Sequence, residues 1–320
     1  MKHLFASILF LLSIVVARAQ TEEQRKYVFP ELSEQTLQTV SIGAVVNGLT
    51  IQQHSVYEYQ DLYLDTDDLD LLKRNLSLRI RRRDYGNGTI EYGMQLKSEM
   101  LKAGDVRMEI DESELDYMTI VYRGQRRSLE GVLNNIFDSF SQKLDSGRVV
   151  DLAGDGLLQE NLEILNAWLR FKAESAIAPL QKLRTLGLSL AKRQTLAVKL
   201  IGRSVRTRSH VYIDRRNTDP ELVAFPASSR PSAETPERLR DVDRIWTMEA
   251  SFDRAQFYSI VSNRNHLINE FEVENKYLPH ANSRELIERF EAGLLSDLGA
   301  SINLESKYLQ SMKALGFAAE

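Results

Sequence analysis

Five stretches of this chain alternate residue by residue between apolar and polar side chains, which restricts the folds open to it. They are Leu78-Arg79-Ile80-Arg81, Tyr92-Gly93-Met94-Gln95-Leu96-Lys97, Val106-Arg107-Met108-Glu109-Ile110-Asp111, Trp246-Thr247-Met248-Glu249-Ala250-Ser251-Phe252 and Glu270-Phe271-Glu272-Val273-Glu274-Asn275-Lys276. A strand sends successive side chains to opposite faces, so each run has one apolar and one polar face. Val56 to Leu64, Thr195 to Ile201 and His210 to Asp214 read as further strands, the last with Asp214 at its end. Gly86-Asn87-Gly88 supplies a hairpin turn between two of the alternating runs. Arg79 and Arg81 share a face, as do Arg107, Glu109 and Asp111, and as do Glu272, Glu274 and Lys276.

Two sheet arrangements satisfy this pattern. In one, the charged faces are the solvated outside of an antiparallel sheet. In the other, the strands close into a barrel and the charges point inward. Such a lumen needs both signs, because unpaired buried charge is very costly. Matched arginines and carboxylates on several strands favour the second arrangement. Guanidinium and ammonium groups would then hold phosphate oxygens, and carboxylates would hold a divalent metal.

Between the strands, Ser128 to Leu144 and Leu157 to Leu183 carry apolar residues at three- and four-residue spacing and read as packing helices, with Pro179 kinking or ending the second. Trp168 and Trp246 read as core residues. Four prolines fall between Asp219 and Arg240, which marks a loop or excursion over 219–240. Asp253 is placed to cap a helix from Arg254 to Leu267, and Asn282 or Ser283 to cap a last helix through Leu298.

The chain opens with Met1-Lys2-His3, an apolar run from Leu4 to Val16, and Ala17-Arg18-Ala19 before Gln20. This is the pattern of a secretory signal peptide over 1–19. It makes the mature protein an exported one, periplasmic or extracellular, with no membrane span. Signal removal takes Lys2 and Arg18 and no acid, so the formal net charge moves from −4 to −6. A general nucleic-acid binder would be basic, so that class is set aside. No cysteine is present, which excludes disulfides, thiolate metal sites and a cysteine nucleophile. The five histidines have no metal-ligand spacing.

Tyr63-Leu64-Asp65-Thr66-Asp67-Asp68-Leu69, then Leu78-Arg79-Ile80-Arg81, Gln95-Leu96-Lys97 and Arg107-Met108-Glu109, in that order, resemble the motifs of the triphosphate tunnel metalloenzymes. Two branches are similar: the CYTH domain and the VTC domain of polyphosphate polymerases. Val211-Tyr212-Ile213-Asp214-Arg215-Arg216, Glu272 to Tyr277 and Ser306-Lys307-Tyr308 are closer to the second. The resemblance implies an α+β fold, an eight-stranded antiparallel β-barrel over 20–320 with flanking helices and a helical insertion at about 113–190. It implies binding of inorganic triphosphate or polyphosphate with Mg2+ or Mn2+. The phosphate set is Arg79, Arg81, Lys97, Arg107, Arg208, Lys276 and Lys307, and the metal set is Glu109, Asp214, Glu249, Glu272 and Glu274. The chain departs from the family at Glu22-x-Gln24-x-Lys26, where glutamine stands in place of a carboxylate. Function is thus expected to be hydrolysis or transfer of phosphoryl groups, with non-catalytic polyphosphate capture as the alternative.

Overall fold

The computed structural model describes residues 20–29, 45–46, 48–98, 106–115, 118–145, 155–172, 177–186, 196–214, 244–260, 262, 264–275, 285–292, 301–303 and 305–317. The signal segment 1–19, the proline-rich stretch 219–240, Arg215, Arg216 and Lys276 lie outside them. The strands are β1 (Gln20–Val28), β2 (Val45–Val46), β3 (Leu49–Asp65), β4 (Leu76–Asp84), β5 (Ile90–Ser98), β6 (Val106–Glu114), β7 (Thr119–Tyr122), β8 (Gln125–Ser128), β9 (Ala197–Asp214), β10 (Arg244–Ser259), β11 (Arg264–Asn275) and β12 (Ser301–Ile302). The helices are α1 (Asp70–Lys73), α2 (Leu129–Asp145), α3 (Gly156–Lys172), α4 (Ala178–Thr185), α5 (residues 285–292) and α6 (Lys307–Ala314). None of these helices is long and apolar enough to cross a membrane.

Eight strands close a ring. The order is β11-β10-β9-β3-β4-β5-β6-β1, and β1 pairs with β11 again. Every neighbouring pair is antiparallel. β1 makes the closure by dividing its length: Gln20–Glu23 pair with β6, and Gln24–Val28 pair with β11. The expected antiparallel eight-stranded barrel is therefore what the chain forms.

The apolar halves of the alternation face outward, under helices. Leu62, Leu64, Leu78, Ile80, Met94 and Leu96 form one buried cluster with Ile136, Phe137 and Phe140 of α2 and Leu165 and Trp168 of α3. On the other flank, Ile51, Val211, Ala250, Phe271 and Val273 pack under Leu286, Ile287 and Phe290 of α5. Burying this surface on both flanks contributes roughly 25 cal/mol per Å² of apolar area. The polar halves are left with the interior of the ring.

Local chemistry explains the turns. The β4–β5 hairpin closes through Gly86 and Gly88, at φ 72° and 86°, where an L side chain would be strained. The Asp84 carboxylate accepts from the Gly86 N–H at 2.8 Å. Three expectations need correction. The two strands read at Thr195–Ile201 and His210–Asp214 run together as one continuous strand, β9, from Ala197, and Thr195 lies outside the described residues. Leu157–Leu183 is two helices, and Pro179 stands at the second position of α4, where its fixed φ suits a helix start. Arg254–Leu267 is not a helix: β10 runs on to Ser259 and β11 starts at Arg264. The ladder explains this, because Arg254 to Ser259 is paired on both sides, with Val205–Leu200 and with Asn269–Arg264.

Candidate functional site

Register now says which side chains share the lumen. Asp61 of β3 lies opposite Arg81 of β4 and Gly202 of β9. Arg206 lies opposite Asp253 of β10, and Asp253 opposite Glu270 of β11. Glu272 lies opposite Lys26 of β1. These inner positions alternate with the residues that pack under helices, so the charges face one another across the ring.

The β4 arginines converge on Asp61. Arg81 grips it with two parallel bonds, Nε to Oδ1 and Nη2 to Oδ2, each 2.7 Å. Arg79 lies 3.6 Å from the same carboxylate and donates twice to Gln95 Oε1, at 2.8 and 2.5 Å. The guanidinium of Arg81 sits 4.2 Å from the centroid of the Tyr59 ring, and those of Arg83 and Arg206 at 5.4 and 5.6 Å. One buried ring from β3 thereby lets three like charges gather, since each is attracted to its π face.

The second knot joins β9, β10, β11, β1 and α6. Arg206 donates to both oxygens of Asp253, at 2.7 and 2.5 Å, and reaches Glu272 at 3.1 Å. Lys307, from the first turn of α6, donates to Asp253 at 2.6 Å and to Glu270 at 2.8 Å. Lys26 reaches Glu270 at 3.0 Å. Asp253 and Glu270 are 1% and 0% exposed. Burial alone would raise the Asp253 carboxyl, but Arg206 and Lys307 outweigh it and hold it well below the usual range. Burial likewise opposes the ionised Asp61, and Arg81 and Arg79 win, so its pKa is lowered. Lys307 is raised, because Asp253 and Glu270 outweigh its desolvation. Nearer the other end, Arg208 pairs with the buried Glu249, while its own buried Nε finds no acceptor among the described residues.

The residues singled out from the sequence fall as follows. Arg79, Arg81, Arg208 and Lys307 are in these knots. Lys97 is on the same β5 face as Gln95, in register with Glu109 of β6. Arg107 and Glu109 are at positions on β6, opposite Glu22 and Gln20 of β1, and Asp214 ends β9; the side chains of all three lie outside the described residues, as does Lys276. Glu249 and Glu274 are cross-strand partners, and Glu272 joins Arg206. Asp61, Asp253 and Glu270 stand outside the phosphate and metal sets that the resemblance implies, as does Arg206, although Arg203, Arg206, Arg208, Arg215 and Arg216 cluster in the sequence as a candidate anion site. Asp253 was read as a helix cap and is a lumen carboxylate instead, for the pairing reason given above. Glu270 was within reach of sequence reasoning, because it shares parity with Glu272 and Glu274.

Among the described residues, one set of acids could hold a metal ion. Asp253, Glu270 and Glu272 each offer a carboxylate oxygen within 4.8 Å of the others. Oxygen donors of this kind suit Mg2+ or Mn2+. They fit such an ion in number and chemistry, although Arg206, Lys26 and Lys307 now share the same oxygens.

The profile of the CYTH domain matches residues 25–213, more than half of the chain and the part from β1 to the end of β9. Solved structures similar to this chain include the PH1819 protein from Pyrococcus horikoshii OT3, at 13% identity, covering 90% of this chain and 97% of that one with a TM-score of 0.40. A protein from Hippeastrum, described as a candidate adenylyl cyclase with a dominant triphosphatase activity, is 16% identical over 90% of this chain and 93% of its own, with a TM-score of 0.43. A candidate adenylate cyclase from Bacillus halodurans is 13% identical over 85% and 90%, with a TM-score of 0.36. No curated protein matches the chain.

Proposed function

The chain belongs to the CYTH domain family, and from that footing we propose that its barrel binds inorganic triphosphate or polyphosphate and, with a divalent metal, hydrolyses or transfers the phosphoryl groups. The observation that carries this reading is a closed ring whose lumen gathers Arg79, Arg81, Arg206, Arg208 and Lys26 from its inner wall and Lys307 from α6. Phosphoryl transfer needs aligned groups and neutralised charge more than covalent help from the protein. Arginine forks on β4 and β9 supply both, because a planar guanidinium meets two phosphate oxygens at once.

The carboxylates answer for the resting state. Without an anion, each cation needs a partner, and Asp61, Asp253, Glu270 and Glu249 provide one. A phosphate chain entering the lumen takes over some of those cations. The released acids Asp253, Glu270 and Glu272 are then able to take a divalent cation beside the phosphate. Bound there, such an ion would neutralise phosphate oxygens and polarise the phosphorus. In hydrolysis, a water oxygen bonds to phosphorus as the bridging P–O bond breaks, the bridge oxygen leaves as phosphate with its electron pair, and the proton shed by the water passes to the released phosphate or to solvent. We further propose that the protein does this after export, since the 1–19 segment has the form of a signal peptide. Nucleoside triphosphates are scarce outside the cytoplasm, which favours inorganic chains as the substrate.

A second reading, capture without turnover, is favoured by one feature. Gln24 stands in register with Glu274 where the family pattern has a carboxylate, and an amide holds metal more weakly.

One experiment separates these readings: calorimetric binding of tripolyphosphate to residues 20–320, together with phosphate release under magnesium, manganese or chelator. Turnover that chelator stops supports the enzyme, and tight binding without release supports capture. The Arg79→Ala/Arg81→Ala double variant should lose roughly 3 kcal/mol or more of binding, about two decades in affinity. Because that variant strips Asp61 of its guanidiniums, the same change combined with Asp61→Asn distinguishes lost binding from lost folding. Unchanged affinity in both would sink the reading of the Arg79–Arg81 lumen as the phosphate site.

A further inference from the structure

The cleavage pattern and the closing strand meet at one peptide bond. Ala17-Arg18-Ala19 is a small-x-small site, and Gln20 follows it. Gln20 is also the first residue of β1. A chain cut between Ala19 and Gln20 has no tail before its barrel, and its new α-amino group stands at the end of the strand that closes the ring.

That strand end carries the closure. Gln20, Thr21, Glu22 and Glu23 make the β1–β6 ladder, in register with Glu109, Met108, Arg107 and Val106. From Gln24 onward β1 pairs with β11 instead. The other neighbour of β6 is β5, so loss of residues 20–23 would leave β6 an unpaired edge and open the ring. Chain termini fray, and proteolysis concentrates there. An exported protein meets aminopeptidases, which recognise a free α-ammonium group.

Glutamine at a chain terminus removes that group with its own atoms. The neutral α-amine attacks Cδ of the side-chain amide. An N–Cδ bond forms, the Cδ–Nε2 bond breaks, and ammonia leaves with the proton that the amine gives up. The product is a five-membered lactam, pyroglutamate, and nothing is oxidised or reduced. An α-amine has an ordinary pKa of about 8, so a share of it is neutral and nucleophilic near neutral pH. The lactam nitrogen keeps one N–H, as a peptide nitrogen does, so the terminus keeps a backbone donor and loses only its charge. A peptidase that cuts before Gln20 needs extended, unpaired chain on both sides of the bond. Cleavage therefore precedes the pairing of Gln20–Glu23 with β6, and the new terminus is accessible when it cyclises.

We propose that Gln20 is a modification site: the mature chain starts there in the lactam form, and the blocked terminus keeps aminopeptidases from the strand that closes the barrel. This rests on the export reading above and is independent of the phosphate chemistry.

The first test is mass spectrometry of the protein isolated from its native source, on the intact chain and on its N-terminal peptide. The expected result is residues 20–320 short of one ammonia. A chain that starts at Gln20 with its amine intact, or at any later residue, would overturn the inference and leave the export reading standing. A chain that still carries residues 1–19 would take both down. The protective role is read separately. Residues 20–320 with a free Gln20 are compared before and after treatment with glutaminyl cyclase, and with Gln20→Ala, which cannot cyclise. Under an aminopeptidase the cyclised chain should keep its full mass. The other two should lose residues from position 20 onward, and their thermal midpoint should fall as the β1–β6 ladder goes. Equal resistance in all three would show that strand pairing alone guards the terminus, and would overturn the protective role.

Discussion

Asp253 shows how much one residue depends on its surroundings. It is buried, paired bidentately to Arg206 and bonded to Lys307, and its carboxyl is held low by those two cations against its own desolvation. Removing its charge leaves a guanidinium and an ammonium facing each other in a low-dielectric interior. Breaking a buried pair in this way costs about 3–5 kcal/mol. Asp253→Asn should therefore lower the thermal midpoint clearly, and tripolyphosphate should restore part of the loss by supplying the missing negative charge. A melt with and without the anion checks this. A variant as stable as the parent would mean that Glu270 and Glu272 suffice for both cations. Tyr59 is the complementary case, since it bears no charge yet holds Arg81 and Arg206 around one ring.

Among the elements, β9 and β10 carry the most consequence. Each is long enough to serve the lumen at one end and the apolar cluster packed on α6 at the other: Arg206 and Arg208 with Gly202 and Leu200, Glu249 and Asp253 with Phe257. Gly202 is the point where these demands meet. Its φ is unremarkable, so the constraint is space and not backbone conformation, and the Phe257 ring occupies the place a Cβ would take. Gly202→Ala forces that ring off its seat. Overpacking of this kind costs typically 1–3 kcal/mol, which a denaturant titration should read as a lower midpoint at unchanged slope. The companion Gly202→Ala/Phe257→Leu should recover most of it. Failure of the companion to recover would show that the cost comes from β9 itself.

For the whole molecule, acid pH is the revealing variable. Asp61 and Asp253 both have folded pKa values depressed below their unfolded ones, each by cations that outweigh burial. Their stabilisation is fully present above the ordinary carboxylate value of about 4 and is lost only as pH falls through the lowered folded values. Asp65 runs the other way: burial raises it despite its hydrogen bonds, so its contribution is present at low pH and lost as pH rises through that raised value. Two groups against one give a protein that holds its fold well below neutrality and then unfolds steeply in strong acid. Melts from neutral pH down to about pH 2 should show this, and Asp253→Asn should flatten the acid limb. A parent whose stability already falls between pH 6 and 5 would contradict the assignment.

How much of this was legible beforehand divides by the range of the interactions involved. Alternation along single strands was enough to place Arg79 with Arg81, and Glu272 with Glu274, on one face, because side-chain direction in a strand is a local property. The eight-stranded antiparallel barrel went beyond alternation and was implied by the resemblance of the ordered motifs from Tyr63 to Glu109. Alternation could not say which face pointed inward. Helices α2, α3 and α5 decide that by covering the apolar face and leaving the charges to the lumen. Nor could it locate Asp253, since Arg254 to Leu267 has an apolar spacing that a helix also satisfies, and only pairing with β9 and β11 selects strand. Lys307 lies 54 residues from Asp253 along the chain, and their 2.6 Å contact exists because α6 folds back over the end of the ring. The sequence by itself determined the two-faced strands and their charged inventory. Only the tertiary structure decided which charges meet, because ion pairing across a barrel depends on register, closure and helix docking, none of which is local.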